Sequence, residues 1–159
     1  MRRPPALSVW RPWPGLMAVA GKDPENRIWN THYRGLLLIH AAKGTDPGAM
    51  TFAHQLAQQP FPSAPSMRLD LVSPDPFEHP TGIVAVAELW DVCAWSINHP
   101  DQQCPNCPPW AQKNHYHWRI RNVSPFPQPV EHPGKQRLWA VQDRVWPAVF
   151  AQLKAVGCA

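Results

Sequence analysis

Proline is the residue that most constrains how this chain folds, because 21 of its 159 residues are prolines. A proline has no amide hydrogen to donate and holds φ at about −65°, so it interrupts helices and the interior of sheets. The prolines are spread over most of the chain. The sequence therefore predicts a loop-rich domain built from short strands and short helices.

Hydrophobic periodicity predicts more strands than helices. The predicted strands are 6–10, 25–30, 36–42, 82–95, 116–123 and 136–142. The predicted helices are 12–20 near the N-terminus, 50–59, and 144–156 with Asp143 as N-cap and Gly157 as stop. Residues 96–112 are expected to be irregular, and Pro125, Pro127, Pro129 and Pro133 to form a long turn. No strand–helix–strand repeat is present, so the pattern favours a small mainly β barrel with mixed pairing and a few helices.

Length and composition indicate one domain over residues 1–159. The Pro-, Ser- and Gly-rich segment 44–81 is expected to be an insertion, and 143–157 a C-terminal helix. No segment approaches the roughly 18 apolar residues of a membrane span, and prolines break any signal-like run after Arg2 and Arg3. We therefore expect a monomeric cytoplasmic protein with reduced cysteines, no membrane partner and no cofactor.

Charge and aromatic content allow a nucleic-acid partner. The net charge is +4 with 9 tryptophans, and a basic surface suits phosphate groups as well as ordinary solvent. Within 21–29, the charges of Lys22, Glu25 and Arg27 lie close in sequence to the indole of Trp29. Such a group forms either a surface salt-bridge cluster or the wall of a polar cleft. Trp29 favours a cleft, because a flat ring can stack on a nucleobase while neighbouring charged groups hydrogen-bond to its edge.

Several motifs together resemble the ASCH family. They are Arg11-Pro12-Trp13, Gly21-Lys22 with Glu25, Arg27 and Trp29, Tyr33-Arg34-Gly35, Leu38-Ile39-His40-Ala41, Gly82–Leu89, Cys107-Pro108-Pro109-Trp110-Ala111, His117-Trp118, Pro129-Val130, Gly134-Lys135-Gln136 and Leu138-Trp139. The resemblance covers most of the chain outside 44–81 and the C-terminal helix. It implies a PUA-like β-barrel whose cleft is floored by the Lys-x-x-Glu-x-Arg segment and has an RNA-related role.

The first functional interpretation is a module that binds RNA or a modified nucleobase. Trp13 or Trp29 would stack on the base, and Lys22, Glu25 and Arg27 would contact its edge or a phosphate. The further ligand-contact candidates are Arg34, His40, Arg119 and Arg121, the last two in a stripe with His117. His40 can equally be a buried core imidazole, and the stripe can equally be a solvated strand face.

The second interpretation is a hydrolase that acts on RNA or on N4-acetylcytidine. Some ASCH proteins hydrolyse the amide of N4-acetylcytidine with a lysine, a threonine three residues later and a separate glutamate, and a related member is described as a ribonuclease. Lys22 matches the lysine, but Glu25 replaces the threonine, which counts against amide hydrolysis. Lys22 would be the base and Glu88 or Glu25 the acid, with the pKa of Glu88 raised by its apolar strand. Alternatively, Lys22 and Glu88 form a buried ion pair.

A third interpretation is a protein-binding role without nucleic acid, which is compatible with the same basic surface. The Cys104-Pro105-Asn106-Cys107 motif could bind zinc with His99, His115 or His117. A second CxxC is absent, and the intervals to the histidines are not those of a standard finger. The sequence therefore identifies no metal ligand.

Overall fold

The computed structural model describes residues 2–59 and 67–159. Residues 60–66, within the proposed insertion, lie outside the described residues. The strands are β1 Ala6–Arg11, β2 Glu25–Arg27, β3 Gly35–Thr45, β4 Gly82–Cys93, β5 Tyr116–Val130 and β6 Leu138–Trp139. The α-helices are α1 Trp13–Val19, α2 Ala49–Ala57, α3 Trp95–Asn98 and α4 Trp146–Ala155. Leu69–Leu71 and Pro76–Glu78 form short 3-10 helices.

The strands form one mixed six-stranded sheet in the order β2-β5-β4-β3-β1-β6. β1 and β3 are parallel, and the other neighbours are antiparallel. The prediction of a mainly β fold with mixed pairing, an early helix and a C-terminal helix is confirmed. Over the part of the chain that the structure describes, the sheet is open, because β2 and β6 have one neighbour each.

Three groups of buried apolar side chains hold the helices against the sheet. The first lies beneath α4, where Leu153 is completely buried. The second contains Trp118, which is also completely buried. The third joins α1, α2 and the loop before β5 through Leu16, Ala53 and Trp110. This third group positions the loop that carries the CxxC motif. None of the helices in 2–59 and 67–159 is long and apolar enough to cross a membrane.

The predicted proline turn is wrong for Pro125, Pro127 and Pro129, which continue strand β5. β2 pairs only with residues Tyr116–Trp118, so the later part of β5 is hydrogen-bonded to β4 alone. A proline on such an edge removes no ladder bond on the open side. The sheet therefore tolerates prolines that a central strand would exclude.

The helix ends match the sequence in part. Gly157 has φ +72° after α4, a left-handed conformation that glycine adopts without strain, so the predicted stop is confirmed. The predicted Asp143 cap is wrong, because α4 begins later, after Val145, and the carboxylate of Asp143 pairs with Arg3 instead. The short helix α3 lies in a segment expected to be irregular.

Candidate functional site

The segment between α1 and β2 brings Lys22, Glu25 and Arg27 together in a buried charge cluster. Nζ of Lys22 donates to Oε2 of Glu25 and to the carbonyl oxygen of Pro24, both at 2.8 Å. The guanidinium of Arg27 lies 3.1 Å from Oε1 of Glu25 and donates to the carbonyl oxygen of Ser8 at 2.8 Å. Lys22 and Glu25 are only 3% and 7% exposed. Their charges are therefore compensated by each other rather than by water.

Glu25 is ionised in this setting. Burial alone would raise the pKa of Glu25, but the positive charges of Lys22 and Arg27 outweigh it and hold the pKa below its usual value. Both carboxylate oxygens face a cation. A general acid must carry a proton, and a general base needs an accessible lone pair. The arrangement therefore suits Glu25 as an anchor for two cations better than as an acid.

The free energy of unfolding is expected to depend on Glu25 below about pH 4.3, the ordinary pKa of a glutamate. Because the folded pKa is lowered, the unfolded chain takes up the proton first. The stabilisation is thus complete above that pH and is lost as the pH falls through the folded pKa. Urea unfolding of the protein and of Glu25→Gln should show stability curves that converge on acidification. Curves that stay parallel would contradict this assignment.

Among the described residues, Glu88 forms its ion pair with Arg121 and not with Lys22, so the predicted buried Lys22–Glu88 pair is wrong. The carboxylate of Glu88 accepts from Nε and Nη2 of Arg121 at 2.9 and 2.8 Å, and from Asn122 at 3.1 Å. The side-chain hydrogen bond from Arg121 lowers the pKa of Glu88, contrary to the predicted rise. Glu88 of β4 is paired in register with Arg121 of β5, and directly opposed residues on neighbouring antiparallel strands have side chains on the same face.

A cavity of about 1200 Å³ opens beside the buried charge cluster, between α2 and the loop that precedes β5. Gly21 and Asp23, the neighbours of Lys22 in sequence, contribute to its wall. Asn26 fixes the loop that precedes β5. Its side-chain amide donates to the carbonyl oxygen of Trp110 at 3.0 Å and accepts from the backbone N–H of Gln112 at 2.9 Å. Lys22, Glu25, Arg27 and Trp29, which the sequence places in the wall of a cleft, are not among the residues that line this cavity.

The cavity has an apolar wall and a polar wall. Phe52, Leu56 and Met67 supply the apolar wall. The polar wall carries amide and cationic side chains, which are those of Gln59, Gln103, Asn106, Gln112, Lys113 and Arg119. Arg119, a predicted ligand contact, is held at the cavity by a 2.9 Å ion pair with Asp23. Lys113 forms no ion pair within 2–59 and 67–159 and is exposed.

His40 lines a different cavity, of about 620 Å³, together with Ser8 and residues 131–136. The ring is 3% exposed, and its Nε2 donates to the carbonyl oxygen of His132 at 2.8 Å. Nδ1 has no hydrogen-bond partner among the described residues. Burial lowers the pKa of His40, so the imidazole is neutral at pH 7. His40 is thus a buried imidazole with one nitrogen satisfied.

The two tryptophans predicted to stack on a base are engaged with the protein. Trp13 donates its indole N–H to Asp46 at 3.0 Å, and the ammonium of Lys22 lies 5.1 Å from its ring centroid. Trp29 packs edge-on against Trp118 at 4.5 Å between ring centroids. Neither tryptophan is among the residues that line the cavity. They shape the surroundings of the cavity rather than offering an open ring face.

Arg34 and Arg121, also predicted as ligand contacts, lie at the surface away from the cavity. NH2 of Arg34 is 3.6 Å from a carboxylate oxygen of Asp91, and Arg121 pairs with Glu88. The structure therefore joins Lys22, Glu25 and Arg27 into one cluster and places Arg119 in the adjoining cavity. It separates the other predicted contacts from them.

Four side chains with sulfur or nitrogen ligand atoms converge where β4 ends and β5 begins. Cys93 ends β4 and is paired in register with His117 of β5. The intervening loop folds back and brings Cys104 and Cys107 beside them. One ligand atom from each side chain lies within 4.8 Å of all the others. We name Cys93, Cys104, Cys107 and His117 the cysteine–histidine cluster.

Among the candidate histidines, only His117 joins this cluster. The ring of His99 stacks on Trp95 with 4.1 Å between centroids, and Nδ1 of His115 lies 2.7 Å from a backbone carbonyl oxygen. His117 is 0% exposed, so its predicted place in a phosphate-contacting stripe is wrong. Burial also lowers the pKa of His117. Sequence reasoning missed Cys93, although a cysteine ending one strand and a histidine opening the next around a CxxC was a usable signal.

Comparisons with known proteins add no family to this description. No model of a known protein family matches the chain, and no curated protein matches it significantly. The resemblance to ASCH domains therefore rests on the motifs in the sequence, and the site must be interpreted from its own geometry.

Proposed function

We propose that this protein binds RNA or a modified nucleoside in the cavity between α2 and the loop before β5. One observation carries the proposal: the cavity combines an apolar wall with a wall of amides and cations. A nucleobase needs an apolar surface for its ring and hydrogen-bonding groups for its edge. The phosphate beside it needs positive charge. The volume of about 1200 Å³ is ample for a nucleotide.

Each wall has a distinct role in this proposal. The base would lie against Phe52 and Leu56 of α2, and the exposed side chain of Gln112 would contact its edge. The backbone N–H of Gln112 donates to Asn26, which holds the main chain at this position, and the residue is exposed. Lys113, next in the chain, would contact a phosphate.

The geometry of Lys22 favours binding over hydrolysis. A lysine base must be able to lose its proton and reach a substrate. The ammonium of Lys22 instead donates to Glu25 and Pro24 at 2.8 Å and is 3% exposed. In the proposed function, Lys22 and Glu25 therefore hold the cavity wall in place instead of reacting.

The ASCH assignment and closure into a PUA-like barrel are part of the same proposal. Support comes from the mainly β mixed sheet and from the buried Lys-x-x-Glu-x-Arg cluster, which adjoins a cavity. The departures are the glutamate at the threonine position and the tryptophans that pack against the protein. The first departure counts against an amidohydrolase. The second removes the base stacking by Trp13 or Trp29 that the sequence predicts for a binding module, so the apolar wall from α2 takes that role in the proposal.

Lys113→Glu is expected to weaken binding of single-stranded RNA by roughly fivefold to tenfold, because it reverses one phosphate-contacting charge. The slope of log affinity against log salt should fall by about one. Fluorescence anisotropy with labelled RNA over a salt series measures both effects. N4-acetylcytidine added as a competitor tests whether a single modified nucleoside occupies the same cavity.

Lys154→Glu is the matched control, since it makes the same charge change on α4, outside the residues that line the cavity. Equal losses in both variants would contradict the proposed location and indicate general attraction to a basic surface. Mass spectrometry of the recovered RNA and nucleoside should show them unchanged. Product formation would favour the hydrolase, and absence of any retention would favour a protein partner.

A further inference from the structure

We propose that the cysteine–histidine cluster binds a structural zinc ion. Three thiolates and one imidazole would supply all four ligands, from Cys93, Cys104, Cys107 and His117. The inference goes beyond the proposed function, because it concerns metal content and folding and is measured without RNA.

The fold itself delivers the ligands. The antiparallel register of β4 and β5 sets Cys93 opposite His117. The CxxC loop then supplies two sulfurs from cysteines separated by two residues, the spacing common in zinc sites. His117 and Cys104 are 0% and 3% exposed. The end of the sheet and the CxxC loop therefore fix the positions of the four ligands, which do not depend on contacts between surface side chains.

The distances match the edges of a tetrahedron around zinc. With Zn–S bonds of about 2.3 Å, two sulfurs of a tetrahedral site lie about 3.8 Å apart. Sγ of Cys93 and Sγ of Cys104 are 3.8 Å apart. Nδ1 of His117 lies 3.2 Å from Sγ of Cys107, within a few tenths of the about 3.5 Å expected for one nitrogen and one sulfur ligand. The sulfur separation also far exceeds the about 2.05 Å of a disulfide.

The second nitrogen of His117 sets the tautomer that metal binding requires. Nε2 lies 2.7 Å from the carbonyl oxygen of Gln112. A carbonyl oxygen only accepts, so Nε2 carries the hydrogen and the lone pair of the neutral ring is on Nδ1. Nδ1 is the atom that faces Cys107. A backbone carbonyl bound to the outer nitrogen is the usual support of a metal-binding histidine.

The donor set selects zinc and a structural role. Thiolates and imidazole suit zinc, whereas magnesium and calcium require oxygen ligands. Four protein ligands leave no open position for water or substrate, as in structural sites. Binding replaces the thiol protons, so three thiolates and Zn²⁺ give a net charge of −1, and the released protons pass to the solvent. Lys113 and Arg119 line the same cavity as Cys107 and offset part of this charge.

The zinc ion would fix one wall of the proposed binding cavity. Cys104 and Cys107 belong to that wall, together with the loop residues up to Lys113. Gln112 links the two sites through its backbone. Its carbonyl oxygen accepts from His117, and its backbone N–H donates to the side chain of Asn26. Metal binding would therefore order the loop at both ends.

The test measures zinc in protein purified without a histidine tag or chelator, by elemental mass spectrometry. The expected content is one zinc per chain, lost in Cys104→Ser and in His117→Ala. Cys158→Ser and His115→Ala are matched controls outside the cluster and should retain the metal. Chelation is expected to lower the melting temperature by roughly 10 °C or more.

A second measurement covers ligand variants that fail to fold. Cobalt added to the metal-free wild-type protein should give the visible absorption of tetrahedral cobalt with thiolate ligands, and zinc should abolish it. Alkylation should label Cys158 readily and the other three cysteines only after chelation. Protein that binds no zinc or cobalt, loses metal equally in the control variants, or contains a Cys93–Cys104 disulfide would overturn the proposal.

Discussion

Replacing Glu25 by alanine is expected to lower the free energy of unfolding by about 3–5 kcal/mol, the cost of breaking a buried ion pair from one side. Glu25 is the only carboxylate that Lys22 meets within residues 2–59 and 67–159. Its removal leaves an ammonium that is 3% exposed with one backbone carbonyl as partner. Urea unfolding followed by circular dichroism at pH 7 gives the difference.

The double variant Lys22→Met/Glu25→Leu distinguishes two contributions to the loss of unfolding free energy: the unpaired buried charge and the lost packing. Replacing both partners of a buried pair by apolar residues is often close to neutral, so the double variant should recover the part of the loss that comes from the unpaired Lys22. The part that comes from Arg27, the second cation that Glu25 contacts, should remain. Glu88→Ala is the matched control, because its ion pair with Arg121 is solvent-exposed and should change stability little. A loss from Glu88→Ala as large as that from Glu25→Ala would contradict the distinction between buried and surface pairs.

The sequence predicts the elements of this fold better than their register. Six strands and the helices at both ends follow from periodicity, and Gly157 marks the end of α4 as predicted. The ion pair between Glu88 and Arg121 does not follow, because it depends on which residue of β5 lies opposite Glu88. Alternation along one strand does not show its register with the neighbouring strand.

The dependence on strand pairing also decides which parts of the candidate site can be predicted from the sequence. Lys22, Glu25 and Arg27 are close in the chain, so local spacing predicts either a surface salt-bridge cluster or a cleft wall, but it does not show that the three charges pair in a buried cluster. Cys93 and His117 meet only through the pairing of β4 and β5. The apolar wall of the cavity comes from α2, within the segment expected to be a mere insertion. Long-range pairing and the docking of α2 are tertiary properties that a local pattern does not contain.

Strand β5 connects the three features on which the proposals rest. His117 belongs to the cysteine–histidine cluster, Trp118 to the core, and Arg119 to the cavity wall. Trp118 is also paired in register with Glu25 of the buried charge cluster. These three residues are consecutive, so the proposed zinc site, the core and the proposed ligand cavity depend on the same short stretch of backbone. A change that moves this stretch should disturb all three together.

Trp118→Ala is expected to cost about 3–5 kcal/mol of unfolding free energy, because it leaves a cavity where a completely buried indole packs. The indole also meets Trp29 edge-on at 4.5 Å and donates to its carbonyl oxygen at 3.2 Å. Urea unfolding measures the loss, and Trp118→Phe should retain part of the packing. Trp10→Ala is the matched control, since Trp10 is 59% exposed. Similar losses in the two alanine variants would show that Trp118 does not hold β5 in place.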